Sequence, residues 1–326
     1  MSTFSKVLMG IAAAFGLAAS TLALGQSFPS KPITWILPFP PGGVTDPVAR
    51  MVGQKVGESI GQTVIIDNRP GAASIIAAEA VKRAPADGYT LLFGHAGSHA
   101  VNQSLYTKLS YDPQKDFVPI TNLISTTHVL VVPASSPAKS IAELIALAKS
   151  RPQGLNYGSQ GIAAGGHLLG EVFKLRVGIP LNHVPYKGSG PLVQDLLADR
   201  VDLAFDSPIT SGPLVRDGRL RALAVASPNR NRNLPGTPTV AEVGYAGMEL
   251  DFWFGLFAPA GTPPAVVQRL HQEFVAAINH PDISRKILDT GLDVTTSRSP
   301  EEFGALVAAD AVRLGKMVKD SGARVD

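Results

Sequence analysis

Four short stretches of this sequence set glycine where an apolar, strand-like run gives way to a helix-like one: Phe39 to Thr45 within "ILPFPPGGVTDP", Gly94 to His99, Gly158 to Gly161 and Lys187 to Gly190. All four also hold serine or threonine. Glycine lets the backbone approach a ligand closely, and a helix that follows leaves its first N–H groups unpaired. Those amides and the helix dipole favour an anion by about 0.3–1 kcal/mol, and hydroxyls add donors that can orient a carboxylate. Taken singly, each stretch is an ordinary turn. Taken together, they outline a cleft between two prospective domains.

Two acidic residues bear on this chemistry. Asp46 would repel an anion if it faced one; before Pro47 it reads as a helix N-cap, its oxygens turned onto helix amides. Asp206 ends the run "VDLAFD" and has two readings, as acceptor for a ligand amine or hydroxyl or as acceptor for neighbouring backbone amides. Covalent chemistry has little support. The sequence has no G-x-S-x-G elbow, no phosphate-binding G-x-x-x-x-G-K-[ST] and no G-x-G-x-x-G fingerprint. His95 and His99 lie four apart without the glutamate of a zinc helix, so no metal is expected there. His128, His167, His183, His271 and His280 stand singly and read as structural or surface groups. Phe252, Trp253 and Phe254 read as sheet core.

The elements that would position these loops follow a strand, loop, helix rhythm. "ITWILPF", "TVIIDN" and "YTLLFG" have strand length and β-branched or apolar character. Val48, Met51, Val52, Val56 and Ile60 repeat at helical spacing up to Gly61. A second series starts with "HVLVVPA" and continues through the capping box Ser140-Ile141-Ala142-Glu143. Strands "LNYGS", "LNHVPY", "VDLAFDS" and "LRALAVAS" alternate there with helices "GHLLGEVFKL" and "PLVQDLLADR". "FWFGLFAPA" is a last strand; Thr262-Pro263 and Ser299-Pro300-Glu301-Glu302 open the closing helices. Alternation at this spacing implies a doubly wound α/β architecture, and the 326 residues suffice for two such domains. The expected division is residues 26–125 plus 253–326 for the first and 126–252 for the second. "LISTTHVLVV" and "FWFGLFAP" would carry the chain across and back.

Composition narrows the class. The net charge of +3 is small for this length, and no Lys/Arg block supports nucleic-acid binding. The absence of cysteine excludes disulfides, thiolate metal sites and a cysteine nucleophile. Residues 1–25 carry one charge, Lys6, then an apolar and small stretch ending in Ala23-Leu24-Gly25, which reads as a cleavable secretory signal peptide. A soluble, disulfide-free periplasmic protein is expected.

In order along the chain, "FPSKPITWILPFPPGGVTDPVAR", "VIIDNRPGAASIIAAEAV", "APADGYTLLFG", "LNYGSQG", "HVPYKGSGP", "LRALAV" and "FGLFAPAGTP" resemble the exported solute receptors of tripartite tricarboxylate transporters, the Bug-type receptors. The resemblance runs over essentially the whole mature chain and includes the characteristic N-R-P-G. It implies a periplasmic binding protein of two α/β domains joined by a hinge, closing on a small organic carboxylate and presenting it to a membrane permease. It also implies no enzyme activity, no cofactor, no metal and a monomer.

By the same resemblance, the loop with Phe39, Gly42, Gly43, Val44 and Thr45 meets the ligand carboxylate through amides and water. Gly97, Ser98, His99 and Asn102 then complete the pocket with Ser159 and Gly161, while Ser189 closes over it and Asp206 lies near. Val44 stands where relatives often carry a small or hydroxylated residue, and His95 where a small polar one is frequent, so the ligand's identity does not transfer from a relative. Two other functions stay open at this point: a periplasmic ligand sensor serving a signalling partner, and a secreted hydrolase using Ser159 or Ser98 with a histidine.

Overall fold

The computed structural model describes residues 28–322; the expected signal peptide lies outside the described residues. The first unit opens with β1 (Ile33–Leu37), α1 (Thr45–Ile60), β2 (Val64–Asn68), α2 (Ile75–Lys82) and β3 (Thr90–His95). The three strands run parallel, with Trp35 beside Ile66 on one side and Leu91 on the other. Strands covered by helices on both faces are apolar nearly throughout, and β1 is buried at four of its five positions with Thr34 intermediate. Val48, Val52 and Val56 are the buried stripe of α1, which stops at Gly61 in the left-handed region. The sequence reads the next stretch, "HAGSHAVN", as a loop. It is instead a π-helical turn, Gly97–Val101, running into the short helix α3 (Asn102–Leu105).

Next come β4 (Phe117–Thr126) and β5 (Val129–Pro133), separated only by Thr127 and His128. The second unit continues through α4 (Ile141–Ser150), β6 (Leu155–Ser159), α5 (Gly165–Val177), β7 (Leu181–Pro185), α6 (Ser189–Leu197), β8 (Leu203–Asp206), α7 (Pro208–Arg216) and β9 (Leu220–Val225). The chain then returns with β10 (Phe252–Pro259), α8 (Pro264–Ile278), α9 (Pro281–Thr290), β11 (Asp293–Val294) and α10 (Pro300–Ser321). The result is two α/β units. One holds a six-stranded sheet ordered β11-β4-β10-β3-β1-β2, the other a five-stranded sheet ordered β7-β6-β8-β5-β9.

Strand direction explains why the two crossings fall where they do. β5 runs antiparallel to both its neighbours, β8 and β9, and β10 antiparallel to β3 and β4. These are the strands the chain enters immediately after changing sheets. Register fixes their starting points: Val129 lies opposite Asp206 at the end of β8, and Phe252 and Phe254 lie opposite Thr126 and His95 at the ends of β4 and β3. Both crossings therefore join the edges where the parallel strands end, the edges at which α/β sheets bind ligands.

Packing ties the units together. Leu130 and Val132 of β5 belong to the main core while Val129 and Val131 face a smaller cluster with Leu192 and Leu196, the alternation of a strand covered on both faces. α10 packs on β4 and on α5 of the second unit. Trp253 Nε1 donates to Asp310 Oδ2 of α10 at 2.8 Å. The capping boxes form, with one change. Ser140 and Ser299 accept from Glu143 N and Glu302 N, but the glutamates reach the amides of Lys139 and Arg298, one residue before the cap. Thr262 does not cap α8; its hydroxyl bonds Pro259 O, and Pro263 takes the cap position.

Candidate functional site

The loop after β1 is closed by Asp46. Val44 already has helical dihedrals and makes no side-chain cap bond, so α1 starts at Thr45 and Asp46 lies inside its first turn. The expected N-cap role is thus corrected. The carboxylate instead accepts the Gly42 amide at 3.1 Å, Arg50 Nε and Nη2 at 3.0 Å each, and Asn68 Nδ2 at 3.0 Å. Asn68 Nδ2 also holds Phe39 O at 3.0 Å. Burial alone would raise the Asp46 carboxyl, but the hydrogen bonds from Arg50, Gly42 and Asn68 hold it below its ordinary value. Gly42 therefore contributes its left-handed backbone (φ 75°) to the turn while its amide is already engaged. Gly43 N reaches Pro40 O only at 3.4 Å, and the Thr45 hydroxyl makes no hydrogen bond among the described residues.

The segment after β3 is more committed than its sequence suggests. Ser98 Oγ accepts from His95 N at 3.1 Å, reaches His95 O at 3.0 Å and lies 2.8 Å from His99 Nδ1. His99 is fully buried and stacks on Phe257 at 3.8 Å between centroids; burial, with His95 nearby, holds its imidazole well below the ordinary value. Asn102 donates to Ala73 O at 2.9 Å and Tyr111 Oη at 3.0 Å, and Tyr111 in turn donates to Ser98 O at 2.7 Å. Ser98, His99 and Asn102 thus brace the turn from behind. Gly97 faces the other unit: a Cβ there would lie 2.5 Å from Ala163 O.

In the second unit, Asp206 is fully buried at the end of β8 and gathers four side chains. Gln160 Nε2 at 2.8 Å and Ser189 Oγ at 2.7 Å reach Oδ1; Thr210 and Ser211 hydroxyls, each at 2.5 Å, reach Oδ2. Of its two sequence readings, neither names these partners. Hydroxyls and an amide, not backbone N–H groups, satisfy it, and the loop after β6 is thereby tied to the starts of α6 and α7. Ser159 Oγ lies 2.7 Å from His183 Nε2 and 3.1 Å from Gly161 O, and accepts from Gly161 N at 3.3 Å. The Ser–His proximity a hydrolase needs is present, yet no carboxylate among the described residues orients His183. Glu171, in the same cluster, takes the Tyr157 hydroxyl at 2.6 Å and Lys174 at 3.6 Å. Burial pushes His183 down to about 3, with His167 and Lys174 adding to it. No group of side chains among the described residues is arranged to hold a metal, His95 and His99 included.

Sequence reasoning missed several members of this edge. Arg50 and Asn68 lock the first loop, Gln160, Thr210 and Ser211 complete the Asp206 cage, and Thr127 and His128 form the first crossing. The one available signal was the N-R-P-G run, whose asparagine is the lock and whose glycine opens the turn at residues 71–74.

Two α/β units whose strand ends face each other across short crossings define the periplasmic binding protein class. The described residues contain no helix long and apolar enough to cross a membrane. Residues 48–323 match the family described as "Tripartite tricarboxylate transporter family receptor", and the chain belongs to that family. It is 34% identical over 311 residues to protein BugT of Bordetella pertussis, covering 95% of this chain and 94% of that protein. A protein of R. palustris solved with adipate superimposes with a TM-score of 0.84 at 38% identity, covering 90% of this chain and 98% of that one. MatC from Rhodopseudomonas palustris with bound malate does so with a TM-score of 0.83 at 31% identity, covering 89% and 100%. Members of this family are substrate-binding proteins, and the chain is a solute receptor rather than an enzyme.

Proposed function

We propose that the protein is a periplasmic receptor that captures a small organic carboxylate in the cleft and delivers it to the permease subunits of a tripartite tricarboxylate transporter. The first domain, residues 26–125 plus 253–326, offers Gly43, Val44 and Thr45 to the carboxylate, with the Phe39 ring beside them. The second, residues 126–252, closes over the ligand with Gly161 and the start of α6 at Ser189. Ser98, His99, Asn102, Ser159 and Asp206 serve as the frame that keeps these groups in place.

The observation that carries the reading is the Thr45 hydroxyl. It belongs to a residue that is only 4% exposed, makes no hydrogen bond within the described residues, and stands at the N-terminus of a 16-residue helix. A donor with no partner in the protein is free to bond a ligand oxygen. Lys187, exposed on the opposite rim and in no ion pair among the described residues, supplies a cation that attracts an anion into the cleft. The relatives solved with adipate and malate support the same ligand class. A thermal-shift screen of mono-, di- and tricarboxylates tests it: a ligand that binds only the folded state raises the melting temperature. Stabilisation by neutral or cationic solutes, with none by carboxylates, would overturn it.

A further inference from the structure

The segment between β2 and α2 holds a backbone conformation that demands explanation. Gly71, Ala72, Ala73 and Ser74 all have positive φ, at 123°, 44°, 49° and 73°. Three of these four carry a Cβ, and residues with a Cβ adopt the left-handed region singly and rarely. Such a run persists only where surrounding contacts over-determine it, and strain of this kind gathers at binding sites. Here the contacts are visible. Asn102 Nδ2 grips Ala73 O at 2.9 Å, Ser74 N bonds Gly71 O at 3.0 Å, and Ile75 N returns to Ala72 O.

The turn delivers Ser74 to the ligand edge. β1, β2 and β3 are parallel, so the segments that follow them, including residues 69–74, converge on one edge. Ser74 is 7% exposed and its Oγ lies 2.7 Å from His95 Nε2. The direction of that bond follows from the other ring nitrogen. Gly97 N–H donates to His95 Nδ1 at 3.1 Å, so Nδ1 carries no proton. Burial pushes the His95 imidazole down to about 3, which keeps it neutral. The single ring proton is therefore on Nε2 and is donated to Ser74 Oγ. Ser74's own proton has no acceptor among the described residues, and the bond it receives from His95 strengthens it as a donor.

We propose that Ser74 is a ligand-contacting residue: the strained turn at residues 71–74 holds its hydroxyl, oriented by His95, as a donor to an oxygen of the bound carboxylate. This rests on the carboxylate-receptor reading and extends it to a residue outside the loops that follow β1 and β3. His95 acts as a positioning residue, fixing the direction of the Ser74 hydroxyl without touching the ligand.

Two substitutions separate this role from a structural one. Ser74→Ala removes the hydroxyl and keeps a Cβ in the left-handed region; Ser74→Gly removes both hydroxyl and strain. The probes are benzoate, succinate, malate, adipate and citrate, titrated calorimetrically against the full mature chain, with ligand-free melting temperatures measured alongside. A hydrogen bond to a charged acceptor corresponds to about a tenfold or larger change in affinity. Both variants are expected to lose about tenfold or more in affinity for whichever probe the wild type binds, while Ser74→Gly melts above Ser74→Ala. Wild-type affinity in Ser74→Gly, or in both variants, overturns the assignment and leaves the receptor reading standing. If the wild type binds none of the five probes, the carboxylate reading itself fails and the role of Ser74 falls with it.

Discussion

The Gly42 amide donates to Asp46 Oδ2 at 3.1 Å, and Arg50 closes on the same carboxylate through Nε at 3.0 Å. This relationship fixes the glycine turn to the first turn of α1 and sets which amides stay available to a ligand. Asp46 is nearly buried while Arg50 is half exposed, so the pair is worth less than a fully buried one.

Asp46→Ala is expected to cost about 1–3 kcal/mol of stability, because Gly42, Arg50 and Asn68 all lose an acceptor. The pH dependence follows from its lowered carboxyl. A carboxylate with a lower pKa folded than unfolded stabilises the fold above its unfolded value of 3.8, and that contribution is lost as pH falls through the folded value. Urea unfolding of wild type and Asp46→Asn should therefore show a gap in stability at neutral pH that shrinks below about pH 4. A gap of constant size across that range would contradict the assignment.

Thr45→Ala removes a hydroxyl that bonds nothing within the described protein. Its melting temperature without ligand should stay close to that of the wild type, while carboxylate affinity falls by about three- to thirtyfold. Unchanged calorimetric affinity would place Thr45 outside the site.

Asp206→Ala strips the acceptor from Gln160, Ser189, Thr210 and Ser211 at once. An expected loss of about 2–4 kcal/mol follows from donors left unpaired in a fully buried place. Equilibrium unfolding measures it directly, and a loss below about 1 kcal/mol would show that the cage is dispensable.

Gly97→Ala places a methyl group 2.5 Å from Ala163 O across the cleft. The same methyl group would lie 2.7 Å from His95 Cε1 of its own unit. Overpacking of about 1–3 kcal/mol therefore falls partly on the fold, read as a lower ligand-free melting temperature, and partly on the contact between the units. Affinity should drop by about five- to a hundredfold, and small-angle scattering with saturating ligand should report a more open particle than the wild type gives. Full compaction at wild-type affinity would mean that the units accommodate the methyl group without parting at Gly97 and Ala163.

Much of this was legible in the sequence, for identifiable reasons. The parallel strands β1, β2, β3, β6, β7 and β8 announce themselves as short apolar or β-branched runs bounded by glycine, and helix α1 by the spacing of Val48, Val52 and Val56. β4 was harder. Its ten residues include Pro119, Thr121, Asn122 and Ser125, and their burial comes from lying between β10 and β11, a neighbour relationship no local pattern encodes. α7 begins with proline, carries a second proline inside and lacks a clean apolar stripe, so periodicity passes over it. α9 shows its stripe only through Ile283 and Ile287, one pair in ten residues. The roles of Asp46, Ser98, Asn102 and Asp206 depend on partners between one and dozens of residues away. A carboxylate or hydroxyl looks the same in sequence whether it faces a ligand or a buried guanidinium. The left-handed run at residues 71–74 is hidden for a further reason, since alanine and serine give no hint of positive φ.

The most direct test of the account is calorimetric titration of the mature chain with benzoate, succinate, malate, adipate and citrate. The account predicts saturable one-to-one binding of at least one of them, with a dissociation constant of about micromolar or tighter and a matching rise in melting temperature. No heat and no thermal shift with any of the five, alongside saturable binding of a neutral or cationic solute, would contradict it.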